Sequence, residues 1–205
     1  MKKESLLREL IEKKRLKTRA VIDAFYAVKR ENFVRPQDRK HAYDNNPLLI
    51  PGGQTISQPL TVAVMTEALD ARRGDKVLEV GSGSGYQAAI LSEIVGSTGN
   101  IITTEIIPEL FEFAKKNLSE FKNVTVLNAD GSRGYEKEAP YDRIIVTASA
   151  PAIPKPLVEQ LKENGKLVIP VGDRMILCEK KNGKTEQAFL GYYAFVPLTG
   201  EHGHK

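Results

Sequence analysis

The sequence predicts a doubly wound α/β domain built on a mostly parallel sheet, and three features carry that prediction. From residue 76 onward, short runs rich in β-branched residues alternate with segments whose apolar residues recur at helical spacing. The runs are almost continuously apolar, as strands are when helices cover both faces of a parallel sheet. The first of them, Lys76-Val77-Leu78-Glu79-Val80, passes straight into Gly81-Ser82-Gly83-Ser84-Gly85 and then into a helical pattern. That strand-turn-helix step opens nucleotide-binding α/β sheets.

In chain order, residues 4–17 and 18–29 read as two short amphipathic helices, with Leu6, Leu7, Leu10 and Ile11, then Val21, Phe25 and Val28, at helical spacing. Arg35-Pro36-Gln37-Asp38 ends that pair, and residues 45–59 shift to a loop rich in Pro, Gly and polar residues. A loop this long inside a compact protein is usually functional or disordered, and its apolar content argues against disorder. A helix follows at 60–69. Strands are expected at 76–80, 101–105, 124–127, 143–147 and 166–170, and helices at 86–95, at 108–118 behind Pro108, and at 155–163. Residues 175–179 and 192–198, around the turn signal Lys181-Asn182-Gly183-Lys184, read as strands closing one edge in antiparallel fashion. The chain thus divides into N-terminal helices and a loop (1–59), a core (60–172) and edge strands with a tail (173–205), all within one domain.

The 205 residues, 41% of them hydrophobic, suffice for one α/β core and are short for two. No apolar run approaches the roughly 20 residues of a membrane-spanning helix, and no apolar stretch follows the charged opening, so a cytoplasmic address is expected. Cys178 is the only cysteine, which excludes an intrachain disulfide and a cysteine-rich metal cluster; in Met175-Ile176-Leu177-Cys178 it reads as a buried thiol. His41, His202 and His204 suggest no metal site, and the segment from Glu201 reads as a frayed terminus. The formal charge of +4 is concentrated at the start: residues 1–20 hold eight Lys/Arg against three Glu. A solvated helix face explains this, and an anion-binding arm is the alternative.

Glycines at 81, 83 and 85 allow a sharp turn and close approach of a ligand to the backbone. The spacing is G-x-G-x-G with Tyr86 where a dinucleotide fingerprint wants its third glycine, which disfavours a nicotinamide or flavin cofactor. Glu105 ends the second strand, about 20 residues past the turn, where a carboxylate accepts both hydroxyls of a ribose. Asp130, just after the third strand, falls on the same edge and has the chemistry to accept from an adenine amino group. Taken singly, each acid is equally a turn former or helix cap. S-adenosylmethionine is the ligand that asks for this set without a phosphate-binding lysine.

Further blocks carry a resemblance. Ala42-Tyr43-Asp44, Gly53-Gln54-Thr55-Ile56-Ser57-Gln58-Pro59, Asp130-Gly131, the stretch from Ala139 to Ala148, the stretch from Gly165 to Gly172, and Phe195-Val196-Pro197-Leu198-Thr199-Gly200 occur in the order and spacing of protein-L-isoaspartate O-methyltransferases. The chain resembles that family from about Arg30 to Gly200. The resemblance implies a Rossmann-like methyltransferase fold, S-adenosylmethionine as methyl donor with S-adenosylhomocysteine as product, and isoaspartyl-containing proteins and peptides as substrates. It implies Ser57 as the active-site serine, and Thr55, Glu79, Gly81, Ser82, Gly83, Glu105, Asp130, Gly131 and Thr147 around the cofactor. Gln54, Ile56, Ala148, Ser149 and Thr199, together with Ser57, are expected to hold the substrate. The chain departs from the family pattern at Ala129, where a glycine is usual, and at Ile106, where an arginine is usual.

Methyl transfer from a sulfonium to a carboxylate needs little acid or base help, because a carboxylate with a pKa near 4 is already ionised at neutral pH. That chemistry matches a chain without a His/Asp pair or metal-ligand cluster. Ser57 lies just before Pro59, where its hydroxyl and nearby N–H groups could hold an anion at a helix end; the plainer reading makes it a helix cap. The rival function is an RNA methyltransferase of the same fold, favoured by the basic start. Against it, Thr147-Ala148-Ser149-Ala150-Pro151 contains no Asn-Pro-Pro-Tyr-like motif, and no cysteine is placed for attack on a pyrimidine. Neither nucleic acid nor membrane is an expected partner, and a monomer is expected.

Overall fold

A computed structural model describes residues 2–204; Lys205, the last residue of the tail, lies outside them. Helices α1 (Lys3–Glu12) and α2 (Arg19–Ala27) open the chain. α1 is shorter than expected, because Lys14 adopts a left-handed conformation (φ 53°) and the Leu16 N–H reaches back to the Leu10 carbonyl. That turn buries Leu16 beside Leu6, Leu7 and Leu10, each contributing about 1.5–3 kcal/mol by leaving water. Lys3 donates to the carbonyls of Tyr26 and Val28 at the end of α2, and Glu67 accepts the N–H groups of Lys17 and Thr18 at its start. Part of the basic surplus therefore ties the two helices to the body.

The loop expected over 45–59 contains a small hairpin, β1 (Leu48–Leu49) paired with β2 (Thr55–Ile56), turning through Pro51-Gly52-Gly53 with both glycines at positive φ. Helix α3 (Pro59–Leu69) follows it. The main sheet then forms from β3 (Lys76–Val80), β4 (Asn100–Glu105), β5 (Val124–Asn128), β6 (Tyr141–Val146), β7 (Leu161–Val171), β8 (Arg174–Lys181) and β9 (Lys184–Tyr192). Between them run α4 (Tyr86–Val95), α5 (Pro108–Asn117) and α6 (Lys155–Glu159). The strand order is β5-β4-β3-β6-β7-β8-β9; the first five are parallel, and β8 and β9 are antiparallel. This is the doubly wound sheet with an antiparallel edge that the sequence predicts.

Strand residues alternate between two cores. Val77, Ile101, Ile145 and Val168 join the layer of α1 to α5, whereas Leu78, Val80, Ile102, Ile144 and Val146 face the other side with Leu157 of α6. Glu79 shares the parity of Val77 and so points into the helix-covered face. Cys178 is buried in β8, as expected.

Three expectations fail. The helix predicted over 155–163 stops at Glu159, since β7 already begins at Leu161 and kinks at Asn164 (φ 60°) before rejoining β6 in register at Lys166. The last strand is β9 at 184–192 rather than 192–198. Its turn at Asn182-Gly183 is the expected two-residue hairpin, but residues 184–189 are all exposed, so no apolar alternation marks them. Residues 193–198 leave the sheet and bridge to the segment after β6, where Ser149 N–H donates to Val196 O and Leu198 N–H to Ser149 O. Nor is the tail frayed: Glu201 N–H donates to Asp130 Oδ2, His202 N–H to Ser132 Oγ and His204 N–H to Leu198 O.

Candidate active site

The chain leaves β3 toward β4 on one side and later returns on the other as β6, so a crevice opens at the carboxyl ends of these three strands. Thr147, just past β6, donates its hydroxyl to the Gly81 carbonyl at 2.5 Å and approaches the Val80 carbonyl at 3.2 Å, which pins the glycine turn to the neighbouring strand. Gly81 has φ 93°, and a Cβ there would stand 2.6 Å from Thr147 Oγ1. Only glycine meets both demands. At Gly131 a Cβ would collide with Thr104 Oγ1 and Val80, so this wall of the crevice is bare backbone as well.

Two carboxylates face the crevice. Glu105 is buried and accepts the N–H of Gly83 on Oε2 (2.9 Å) and that of Ile107 on Oε1 (3.0 Å), leaving about one acceptor position on each oxygen. Two vicinal hydroxyls match that pair. Glu79 is fully buried; its Oε2 accepts from Thr103 Oγ1, while its Oε1 has no partner among the described residues. Burial, opposed by the Thr103 bond and reinforced by nearby Glu105, pushes its pKa up to about 8. A buried carboxyl oxygen without a donor among the described residues has the chemistry to meet an ammonium of an amino-acid-bearing ligand.

Asp130 is placed differently. Its Oδ1 accepts from Ser132 N–H (2.9 Å) and Ser132 Oγ (2.7 Å), and its Oδ2 from Glu201 N–H (2.8 Å). Burial pushes its carboxyl up, but these donors outweigh that and hold it below the ordinary value. Three of its roughly four acceptor positions are filled, and Gly131, not Asp130, lines the crevice. Asp130 fastens the tail that brings Leu198 and Thr199 over the opening.

Three cavities meet here. The first holds about 700 Å³ of non-atom space, open to solvent, between Gly81, Gly83, Glu105, Gly131, Ala148 and Thr199. A second, about 420 Å³, runs under the hairpin past Ile56, Ser57, Glu79 and Ser82. The third is an open groove of about 1280 Å³ between Ser57, Leu60 and the segment from Tyr192 to Val196. Thr55 and Thr147 line all three. Among the described residues, no lysine or arginine lines any of them.

Ser57 is not the cap of α3. Gln58 holds that position, Pro59 removes one N–H, and Asn45 Oδ1 accepts the N–H of Leu60 at 3.0 Å. The first turn is largely satisfied, so the expected anion site at the helix end is reduced to the neighbourhood of Ser57 itself. The Ser57 hydroxyl makes no hydrogen bond to the described residues and opens onto both the groove and the inner cavity. Gln54 lines the first cavity from the hairpin. The Ser82 hydroxyl shares a 2.7 Å bond with Thr103. Ser149 lines none of the three cavities: its hydroxyl donates to Gly172 O at 2.7 Å, and its backbone secures residues 196–198.

Residue-level expectation missed the apolar side of the site. Ile106, Ile107 and Leu110 flank Glu105, and Val196, Pro197 and Leu198 face them across the first cavity. Ile106 is 39% exposed, and two apolar residues directly after a strand-end carboxylate were the available signal. Tyr192, Tyr193 and Phe195 form one side of the groove.

A doubly wound sheet with a glycine turn at its switch point, opening onto a cavity bounded by bare backbone and the buried Glu105, is the architecture of a Rossmann-like S-adenosylmethionine-dependent methyltransferase. The family model for protein-L-isoaspartate(D-aspartate) O-methyltransferase matches residues 1–203, and the chain belongs to that family. It is 51% identical over 210 residues to protein-L-isoaspartate O-methyltransferase 2 of Archaeoglobus fulgidus, covering 100% of this chain and 95% of the relative. It is 52% identical over 198 residues to the protein-L-isoaspartate O-methyltransferase of Staphylothermus marinus, covering 90% and 88%. Among solved structures, a Plasmodium falciparum protein described as a protein-L-isoaspartate O-methyltransferase, crystallised in complex with S-adenosyl-L-homocysteine, superposes with a TM-score of 0.85 at 27% identity. That match covers 95% of this chain and 97% of the other.

Proposed function

We propose that the chain transfers a methyl group from S-adenosylmethionine to the free carboxylate of L-isoaspartyl residues in damaged proteins, the step that starts their repair through a succinimide. The observation that carries this reading is the junction at Thr55 and Thr147, where a cavity edged by Glu105 and Gly81 meets an open groove edged by Ser57. When bound, S-adenosylmethionine supplies a methyl group on a positively charged sulfur.

Glu105 holds the ribose hydroxyls, Glu79 the ammonium, and the bare backbone at Gly81, Gly83 and Gly131 admits the nucleoside closely. Ser82 acts through Thr103, Thr147 fixes the turn, and Asp130 keeps the tail closed at the adenine end. The groove takes an extended peptide whose carboxylate is already an ionised nucleophile, so the residues there orient and desolvate rather than move protons. Ser57 donates its hydroxyl to that carboxylate, Gln54, Thr55, Ile56, Ala148 and Thr199 bound the junction, and Ser149 acts indirectly by holding residues 196–198. The protein is further proposed to work as a cytoplasmic monomer without nucleic acid or membrane.

Incubation with labelled S-adenosylmethionine and an isoaspartyl peptide, with the matching aspartyl peptide and RNA as controls, tests the proposal. Base-labile label on the isoaspartyl peptide alone is the expected result. Label on RNA, or equal label on both peptides, overturns it.

A further inference from the structure

Among the described residues, three buried side-chain atoms lack a hydrogen-bond partner: Nη1 and Nη2 of Arg30, and Oε1 of Glu79. Arg30 has partial compensation, since its Nε donates to Ala42 O at 2.8 Å and its guanidinium carbon lies 5.0 Å from the centre of the Tyr86 ring. Glu79 has none for its free oxygen. The titratable groups around it are Glu105 from β4 and Tyr86 from α4; α3, β6 and the hairpin present only uncharged residues to the cavity it lines. An ionised carboxylate in that position would be a buried charge with a single hydroxyl donor and a like charge nearby, a costly arrangement.

We infer that Glu79 carries a proton in the cofactor-free enzyme and surrenders it to solvent when the ammonium of the cofactor docks against its free oxygen, so that cofactor binding releases one proton. The inference rests on the cofactor assignment made above. The elevated pKa of about 8 agrees with it. The balance is simple: the Glu79 O–H bond breaks, the proton passes to buffer, and N–H···O bonds to the ammonium form. Because the proton must leave for the ligand to bind, affinity rises with pH by about tenfold per unit while free Glu79 is protonated, then levels off near its pKa. Stability follows the opposite sign. With a folded pKa raised from 4.5 to about 8, Glu79 contributes fully below pH 4.5, and that contribution is lost as pH rises toward 8 in the cofactor-free protein.

Calorimetric titration of the whole enzyme with S-adenosylhomocysteine at pH 6, in two buffers of different ionisation enthalpy, counts the protons released. At that pH a free α-ammonium, with a pKa of about 7.7–8.0, stays charged and adds nothing of its own. The expected result is release of about one proton at pH 6 from the wild type, and none at pH 6 from Glu79→Gln. Binding at pH 6 without proton release overturns the inference and leaves the cofactor assignment standing, as does unchanged release from Glu79→Gln. Should that variant not fold, the wild-type series alone decides: affinity that stays flat from pH 5.5 to 8 overturns the coupling. Absence of any binding removes the cofactor assignment and the coupling with it.

Discussion

The cofactor wall of the crevice and the peptide groove meet at two shared threonines, yet they are built by different means. The wall is made of strand ends: residues 79–83, 104–105 and 131 sit where β3, β4 and β5 stop, and neighbouring strands or buried side chains fix each of them. The groove joins residues 47–60, a small hairpin and the start of α3, to residues 192–196, which leave β9. On the wall, Glu79 and Glu105 are buried, and Gly81 admits no side chain. In the groove, Ser57 is half-exposed with a hydroxyl unbonded among the described residues, and Tyr192 is 71% exposed. A buried, hydrogen-bonded wall suits a ligand of constant shape, whereas a shallow, half-exposed groove suits substrates that share one carboxylate and differ in everything around it.

If the two regions are separable, substitutions in each move different constants. The largest expected effect is on turnover: Ser57→Ala lowers kcat on an isoaspartyl peptide by about 10²-fold, by analogy with losing an orienting donor. The dissociation constant of S-adenosylhomocysteine stays within about twofold, since the glycine turn and both carboxylates are untouched. Steady-state kinetics with calorimetry on the same preparation checks both, and unaltered turnover removes Ser57 from the reaction. Next comes Glu105→Ala, which weakens S-adenosylhomocysteine binding by about 1.5–3 kcal/mol, the usual range for hydrogen bonds to a charged group. Its test is the converse: KM for the peptide at saturating cofactor should hold steady. A rise in that KM equal to the loss of cofactor affinity would mean that wall and groove are one unit.

The same contrast explains what the sequence revealed. β3, β4, β6, β7 and the glycine turn were legible because burial on both faces writes itself as continuous apolar runs, and because Gly81 and Glu105 mark strand ends by type and spacing. β9 was misplaced because an exposed edge strand such as Lys184-Thr185-Glu186-Gln187 carries no apolar signal. The groove became visible only through family resemblance at Ser57, since nothing local in residues 54–58 or 192–196 announces that they meet. Asp130 shows the limit of position alone: it lies on the expected edge, but three protein donors already engage its carboxylate. Its neighbours in the tail, Glu201 to His204, read as an unstructured end because the Asp130 and Ser132 contacts that order them lie about 70 residues away.

The smallest effect belongs to the outer lip of the groove. Tyr192 lines it while packing against Phe189, with ring centres 5.0 Å apart, and the guanidinium of Arg174, its cross-strand partner, lies over the Phe189 ring at 5.2 Å. The ring is thus held in place while remaining open to solvent, a surface on which residues flanking an isoaspartate can rest. Tyr192→Ala therefore raises KM by about 2- to 12-fold, corresponding to roughly 0.5–1.5 kcal/mol for a lost aromatic contact, with kcat unchanged. The effect should appear with a peptide long enough to span the groove and vanish with one trimmed to the residues beside the isoaspartate. An equal rise for both peptides would place the influence of Tyr192 at the Thr55–Thr147 junction rather than at the lip. The division between a fixed wall and a permissive groove would then have to be redrawn closer to β9.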